Sequence, residues 1–198
     1  MRKLLALPLL AALAFTGCSS DDGMARLNVR QNATDNQFVA TFERALFTQN
    51  DGQTDVILLS GTGQTAGGEG AIANNNSARQ VVHVKVLWQP TRTIRVDSPS
   101  AGNAMIDWQV IAGDSDHVAY AGSCWAKVTV DDDEATIDIR QANVSVKQVT
   151  GHMIDPLKHA TVDGVFVAKR ADATVRSYIS DLHGTQVTSL SMAGAAAK

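Results

Sequence analysis

Cysteine, proline and aromatic residues are scarce in this chain of 198 residues, which contains 2 cysteines, 4 prolines and 5% aromatic residues. Its longest apolar run, residues 4–15, has about a dozen residues, whereas a membrane-spanning helix needs about 20. That run is too short for stable spanning. The hydrophobic share of 44% is ordinary for a globular protein, and the length suits one domain.

Motifs of catalysis and of phosphate or metal binding are also missing. The chain has no Gly-x-Ser-x-Gly elbow and no Ser-x-x-Lys motif, so it lacks two signatures of a serine nucleophile. No Gly-Lys-Ser/Thr follows its glycines, and no two of its five histidines have the one-turn helical spacing of a zinc enzyme. We therefore assign no catalytic residue, no cofactor and no metal.

The N-terminus combines positive charge, an apolar run and a cysteine. Two basic residues are followed by the apolar residues 4–15, and then by Gly17 and Cys18. This arrangement resembles the lipobox of bacterial lipoproteins, which signal peptidase II cleaves. The resemblance implies a signal peptide over residues 1–17, cleavage between Gly17 and Cys18, and a lipid on Cys18. The alternatives are an ordinary secretory cleavage nearby and an uncleaved anchor.

A lipid on Cys18 implies attachment to a membrane of the cell envelope. Two acyl chains make attachment lasting, because each buried methylene contributes about 0.8 kcal/mol. Ser19 is not the Asp that commonly retains lipoproteins at the inner membrane, so the resemblance implies the outer membrane, facing the periplasm, in a Gram-negative cell. Acylation leaves Cys124 without a disulfide partner, and its apolar neighbours predict a buried side chain.

The mature chain is acidic. Cleavage after residue 17 removes two of the 17 basic residues and none of the 20 acidic ones, which leaves a net charge of about −5. A chain of this charge lacks the basic surface that binds nucleic acid or an anionic membrane. We therefore expect no nucleic-acid partner, and we expect the lipid on Cys18 to make the membrane contact.

Three segments follow the signal peptide. Residues 18–36, the lipidated cysteine and a polar stretch without a sustained period, are interpreted as a tether. Residues 37–186 are interpreted as a single β-rich domain. Residues 187–198 consist mostly of small residues and are interpreted as a disordered tail.

Alternation of apolar and polar residues dominates the domain and predicts β-strands. Residues 38–48 fit either a helix or a strand, and we favour a strand because the hairpin turn Asn50-Asp51-Gly52 follows. The apolar parity changes after Ile139, which predicts a bulge within residues 140–143. Further strands are expected within residues 55–59, 80–88, 91–96, 106–112, 117–130, 135–149 and 160–169.

One helix is expected near the C-terminus, where Asp172 can cap its start and Gly184 can end it. We expect this helix to cover an open edge or end of the sheet. The fold class is therefore all-β and mainly antiparallel. The sequence predicts a single β-sandwich or a partly open barrel of about 7–8 strands with one short C-terminal helix. The predicted apolar face of the helix consists of Val175, Tyr178, Ile179 and Leu182.

The segment 61–79 is rich in glycine and asparagine, which permit positive φ angles. Compact domains rarely keep loops longer than about 12–15 residues without a functional or disordered explanation. We interpret it either as a mobile surface loop or as a loop that contacts a partner or ligand. In the second case the candidate contact residues are Gly61, Gly63, Gly67, Gly68, Asn74, Asn75 and Asn76.

Two groups of loop residues combine histidine with aspartate, although solvated turn residues are their simpler interpretation. The acidic run 131–134 is interpreted as a hairpin tip whose charge discourages edge-to-edge pairing. The two groups are His152, Asp155 and His159, and Asp114, Asp116 and His117.

These features lead to two functional expectations. The first is a non-catalytic cell-envelope lipoprotein whose β domain binds a partner protein or an envelope component. The alternative is an envelope hydrolase or a small-ligand carrier with a cleft near the 61–79 loop. The two differ in what they require of the structure, because the second needs a concave site.

Overall fold

The structure is a computed structural model that describes residues 23–60, 78–89, 102–112 and 116–182. It is mostly antiparallel β-sheet with one short C-terminal helix, as the sequence predicts. The strands are β1 (Ala25–Gln31), β2 (Gln37–Phe42), β3 (Arg44–Asn50), β4 (Gln53–Leu59), β5 (Arg79–Val86), β6 (Ala104–Ala112), β7 (Asp116–Asp131), β8 (Glu134–Thr150) and β9 (Ala160–Arg170), and the helix α1 spans residues 172–182.

The nine strands belong to one sheet, in the order β2-β1-β9-β3-β4-β5-β6-β7-β8. Strand β8 also pairs with β9, so β3 to β9 form a ring. The ring closes through a short parallel contact, in which Leu46 and Phe47 of β3 lie opposite Lys169 and Arg170 of β9. The hairpin β1–β2 extends from the N-terminal half of β9, where β1 pairs with residues 160–163.

Strand β1 corrects the interpretation of residues 18–36 as a tether. Ala25, Leu27 and Val29 are buried, while the residues between them are exposed. The apolar alternation of this segment is short, but pairing with β2 on one side and β9 on the other supplies its hydrogen bonds. The expected tether therefore does not reach residue 36, and its residues 18–22 lie outside the described part of the chain.

The ambiguous segment 38–48 is β-structure, so the helix alternative was wrong and the favoured interpretation is confirmed. The single predicted strand is divided at Glu43 into β2 and β3. The predicted turn is also present: Asp51 and Gly52 have φ angles of 49° and 78° and join β3 to β4. Positive φ at both central residues is the geometry of a tight hairpin turn that follows the strand twist.

The predicted bulge in β8 is confirmed. The register with β9 shifts between Ile139 and Ala142, and Gln141 adopts a φ of 50°. The backbone N–H of Gln141 donates a hydrogen bond of 2.7 Å to Oδ1 of Asp163 on β9. The bulge allows the buried residues Ile139 and Ala142 to lie on one face despite their opposite parity.

Large side chains fill the interior of the ring. Phe42 contacts Trp108 edge to face, with 5.8 Å between the ring centroids. The indole N–H of Trp108 donates to Oε1 of Gln80 over 3.2 Å. The hydroxyl of Tyr120 donates to Oδ1 of Asp155 over 2.6 Å, which ties the segment after β8 to the core. These two hydrogen bonds give the buried polar atoms of Trp108 and Tyr120 the partners that a low-dielectric interior requires.

Helix α1 packs on the outer face of the sheet, not on an open edge or end as we expected. Val175 forms a second apolar cluster with Leu46, Ile57, Leu59 and Val81, which belong to β3, β4 and β5. These outward residues are apolar because the helix removes them from water. The expected end at Gly184 lies outside the described residues. Among the described residues, no helix has the length and hydropathy needed to cross a membrane.

Candidate functional site

The site residues that the sequence predicts lie outside the part of the chain that the structure describes. Gly17 and Cys18 lie outside the described residues, and so do Gly61, Gly63, Gly67, Gly68, Asn74, Asn75 and Asn76. The two ends of the 61–79 segment are described. They are held together by hydrogen bonds from the Ser60 N–H to the Gln80 carbonyl and from the Gln80 N–H to the Ser60 hydroxyl, at 3.0 and 2.7 Å. The segment therefore connects the paired strands β4 and β5.

A groove lies next to Arg79, the last residue of this segment, between α1 and the outer face of β5 and β6, and we call it the helix groove. Its volume is about 610 Å³. Arg79 and Val81 of β5 and Gln109 and Ile111 of β6 form its floor. Arg79 belongs to the 61–79 segment, so the groove adjoins the region that the sequence singled out as a contact loop. The wall formed by α1 includes Thr174, Ser177, Tyr178 and Asp181.

Strand register and helical periodicity position these side chains. Arg79 lies directly opposite Ile111, and Val81 lies opposite Gln109, so the four floor residues share one face of the sheet. On α1, residues 174, 177, 178 and 181 follow a spacing of three and four, which places them on one side of the helix. The floor and the wall therefore come from two regular elements, which hold a site more firmly than loops do.

The floor of the helix groove combines apolar side chains with hydrogen-bonding groups. Ile111 offers apolar surface beside the buried Val81, and the amide of the buried Gln109 can both donate and accept. The guanidinium of Arg79 takes part in none of the ion pairs identified within the described residues, so it can meet an acceptor on a ligand. The arrangement suits a ligand with an apolar body and at least one acceptor or anionic group.

A histidine–aspartate pair lies on the same outer face of the sheet. Nε2 of His83 is 2.8 Å from Oδ1 of Asp55, and the His83 side chain is buried. These residues lie on the neighbouring strands β4 and β5. Sequence reasoning missed the pair because the two residues are 28 positions apart and no local motif contains them. The hydrogen bond satisfies a buried imidazole and fixes its orientation.

The two loop groups of histidine and aspartate do not form a metal site in the described part of the chain. There, no cluster of three or more His, Cys, Asp or Glu residues has the arrangement needed to hold an ion. Oδ1 of Asp155 instead accepts hydrogen bonds from the Tyr120 hydroxyl and from the N–H of Lys158, at 2.6 and 2.8 Å. Asp114 lies outside the described residues.

Burial shifts the pKa values of Cys124, Tyr120 and His117. Burial raises the pKa of Cys124 to about 12, so its thiol stays protonated at neutral pH, and the predicted burial of this side chain is confirmed. Burial also raises the pKa of Tyr120, and the hydrogen bond to Asp155 adds to the effect. Burial lowers the pKa of His117, at the start of β7. The thiol of Cys124, which stays protonated, is a poor nucleophile.

Comparison with known proteins finds no family model, no curated protein and no solved structure that matches this chain.

Proposed function

We propose that the protein is a lipid-anchored binding protein of the cell envelope. In this proposal the lipid on Cys18 holds the chain to a membrane, and the helix groove binds a partner protein or an envelope component. The N-terminal pattern supports the anchor, because a short apolar run after two basic residues ends at Gly17-Cys18. The single observation that supports binding is the helix groove, whose floor combines apolar side chains with the amide of Gln109 and the cation of Arg79.

The size and composition of the helix groove fit recognition by a few contacts. Binding sites are commonly concave and largely apolar, with a small number of polar groups that orient the ligand. Ile111 would contact an apolar group of the partner, and Gln109 would orient it through hydrogen bonds. Arg79 would select an acceptor or an anionic group, because a guanidinium donates in a planar fork.

The anchor is tested by labelling cells with a fatty-acid analogue. The wild-type protein is expected to take up the label, and Cys18→Ala is expected to lose it. Cys124→Ala is the matched control and should label like the wild type, because that thiol is buried. Labelling that persists in Cys18→Ala, or an unprocessed leader in mass spectrometry of the wild type, would contradict the anchor.

The helix groove is tested by photo-crosslinking in intact cells. A photoreactive amino acid replaces Ser177, which lines the groove, or Ser180, which is exposed on α1 but does not line it. We expect a discrete cross-linked product from position 177, its loss when Arg79→Glu is added, and no such product from position 180. Equal products from both positions, or none from position 177, would count against binding in the groove.

A small-ligand carrier is a second candidate, and the volume of the helix groove favours it. About 610 Å³ lies within the range of about 300–1,000 Å³ that small-molecule sites occupy. Native mass spectrometry of the purified protein would then show an added mass. Ser177→Trp, which fills the groove, should remove that mass, whereas Ser180→Trp should retain it. An unliganded wild-type mass would favour the macromolecular partner.

A further inference from the structure

Strand β9 carries two exposed valines on the outer face of the sheet. The side chains of Val165 and Val167 are 64% and 42% exposed, while Phe166 between them is buried in the core. Over residues 164–168 the strand pairs with β8 alone, because β1 and β3 pair with other parts of it. The two valines are therefore open to solvent beside a gap in the pairing of β9.

The start of β1 lies beside these valines. A Cβ atom at Gly164 would lie 2.8 Å from the carbonyl oxygen of Arg26, so β1 continues alongside β9 past the last residue pair of their ladder. Arg26 is exposed, and Met24, which directly precedes β1, is 39% exposed. Grouped exposed apolar residues mark a surface that contacts another molecule or a membrane. The anchor-side face, as we call this surface, consists of Met24, Arg26, Val165 and Val167.

Gly23, the first described residue, lies at this face. A Cβ atom at Gly23 would be 3.6 Å from the backbone nitrogen of Ala45 on β3. The next residue of β3, Leu46, lies opposite Lys169 of β9. Val167 precedes Lys169 by two residues and shares its outward direction. The chain toward the N-terminus therefore joins the domain next to the exposed valines.

The distance from the proposed lipid to this face is short. Cys18 is five residues before Gly23. Five residues span at most about 18 Å when fully extended, whereas a domain of this size is about 40 Å across. A lipid on Cys18, with its acyl chains in the bilayer, therefore holds Gly23 within about 18 Å of the membrane surface. Because this reach is less than half the width of the domain, the side that contains Gly23 faces the membrane.

We propose that the anchor-side face rests on the membrane to which the lipid attaches the chain. This inference depends on the lipid anchor of the proposed function, and it adds a second contact, which the folded domain makes. Met24, Val165 and Val167 enter the boundary between headgroups and acyl chains, where their side chains leave water. The guanidinium of Arg26 takes part in none of the ion pairs identified within the described residues, so it meets a lipid phosphate.

Apolar burial supplies this contact, because the overall charge of the protein does not. The mature chain has a net charge of about −5 and is not attracted to anionic lipid. Asp138 on β8 lies opposite Val165, and its carboxylate is already paired with Arg140 at 2.8 Å. We therefore expect the face to rest on bilayers of zwitterionic lipid.

Fluorescence quenching by lipid tests the proposal. The full chain, purified with its lipid, is reconstituted into phosphatidylcholine vesicles that contain phosphatidylcholine spin-labelled near the headgroup. A bimane label is attached to a cysteine introduced by Val165→Cys or Val149→Cys, and the buried Cys124 does not react. We expect several-fold stronger quenching at position 165 than at position 149.

Val149 is the matched control for Val165. It is an exposed valine on β8, and it lies eleven residues beyond Asp138, which is opposite Val165. That separation is roughly 35 Å along the strand. Equal quenching at the two positions, or none at position 165, in protein that carries the lipid would overturn the docking and leave the anchor intact. Mass spectrometry of the same samples records the lipid on Cys18, and its absence would overturn both proposals.

A second variant separates contact from mere proximity. Val167→Asp, added to the labelled Val165→Cys, should lower the quenching severalfold, because a carboxylate opposes entry into the bilayer. Val146→Asp is its control, at an exposed valine on β8 away from the face, and should leave the quenching unchanged. Circular dichroism melting should show that both variants stay folded. Unchanged quenching in Val167→Asp would overturn the proposed contact, since the short link to the lipid alone would then account for the proximity.

Discussion

The hydroxyl of Thr48 donates a hydrogen bond to Oδ1 of Asp172 over 2.6 Å, which joins β3 to the first turn of α1. The first helical hydrogen bond runs from the N–H of Val175 to the carbonyl of Ala171, so Ala171 occupies the N-cap position that we expected for Asp172. The Asp172 carboxylate still lies at the positive end of the helix dipole. Its bond to Thr48 positions the helix that forms one wall of the groove.

Thr48→Val should loosen this attachment. The substitution keeps the shape of the side chain but removes the donor, and we expect a loss of about 1 kcal/mol in the free energy of unfolding. Urea denaturation followed by circular dichroism measures it. Thr136→Val, at an exposed position on β8, is the control and should change stability little. An equal effect of the two variants would show that the bond between Thr48 and Asp172 contributes nothing specific.

Gly122→Ala should strongly destabilise the sheet. A Cβ atom at Gly122 would lie 1.9 Å from the carbonyl oxygen of Asn143 on the neighbouring strand β8. Backbone atoms cannot move away without breaking the pairing, so we expect a loss of more than about 2 kcal/mol in the free energy of unfolding. Thermal melting of Gly122→Ala beside Ala121→Ser tests this. A melting temperature within two or three degrees of the wild type would contradict the close approach of β7 and β8.

The effect of a substitution at Gln141, in the bulge, on stability should depend on how well the new residue adopts the local backbone conformation. Gln141 has a φ of 50°, which a β-branched residue adopts at a cost of about 1–2 kcal/mol. Gln141→Val is therefore expected to lower the free energy of unfolding by roughly that amount, while Gln141→Gly should leave it unchanged or raise it slightly. Chemical denaturation of the two variants measures the difference. Equal stabilities would contradict the left-handed conformation at this position.

The raised pKa of Cys124 predicts a loss of stability in alkali. The folded state holds the thiol protonated to about pH 12, whereas an exposed thiol in the unfolded chain ionises near pH 8.5. Between these two pH values the unfolded state therefore binds fewer protons than the folded state. The contribution of the protonated thiol to the free energy of unfolding is complete below about pH 8.5 and declines as the pH rises toward 12. The free energy of unfolding of the wild type should fall more steeply above pH 9 than that of Cys124→Ala.

Thiol labelling gives an independent readout for Cys124. An alkylating reagent at pH 8 should modify this residue only after unfolding, because the reactive thiolate is absent from the folded state. Modification of the native protein at the rate of a free thiol would show that the side chain is accessible.

Local patterns account for the parts of the fold that the sequence predicted. The turn at Asp51-Gly52 and the bulge at Gln141 follow from backbone conformation and strand parity, and both act within a few residues. The tether interpretation failed at β1 for the opposite reason. Its three apolar residues are too few to indicate a strand by themselves, and β1 exists because β2 and β9 pair with it.

The residues that line the helix groove could likewise be predicted from the sequence only in part. The sequence directed attention to the 61–79 segment, and Arg79 at its end does line the groove. Ser177 and Gln109 carry no local signal of a shared site, since an isolated serine or glutamine fits many surface positions. They meet because α1 packs across β3, β4 and β5, and that packing depends on apolar residues outside the helix itself.

The amino-acid sequence alone determined the strand-rich character of this chain, its tight turn at Asp51-Gly52, the bulge at Gln141 and the helix near the C-terminus, because side-chain periodicity and φ preferences act between near neighbours. Only the tertiary structure decided that strands β3 to β9 form a ring, that α1 packs on the outer face, and that β2 pairs with β1. Those outcomes depend on contacts between residues far apart in the chain, such as the pairing of Leu46 with Lys169 that closes the ring. The entropy lost in closing such long loops is offset only when the whole core is buried at once, so no short segment encodes the result.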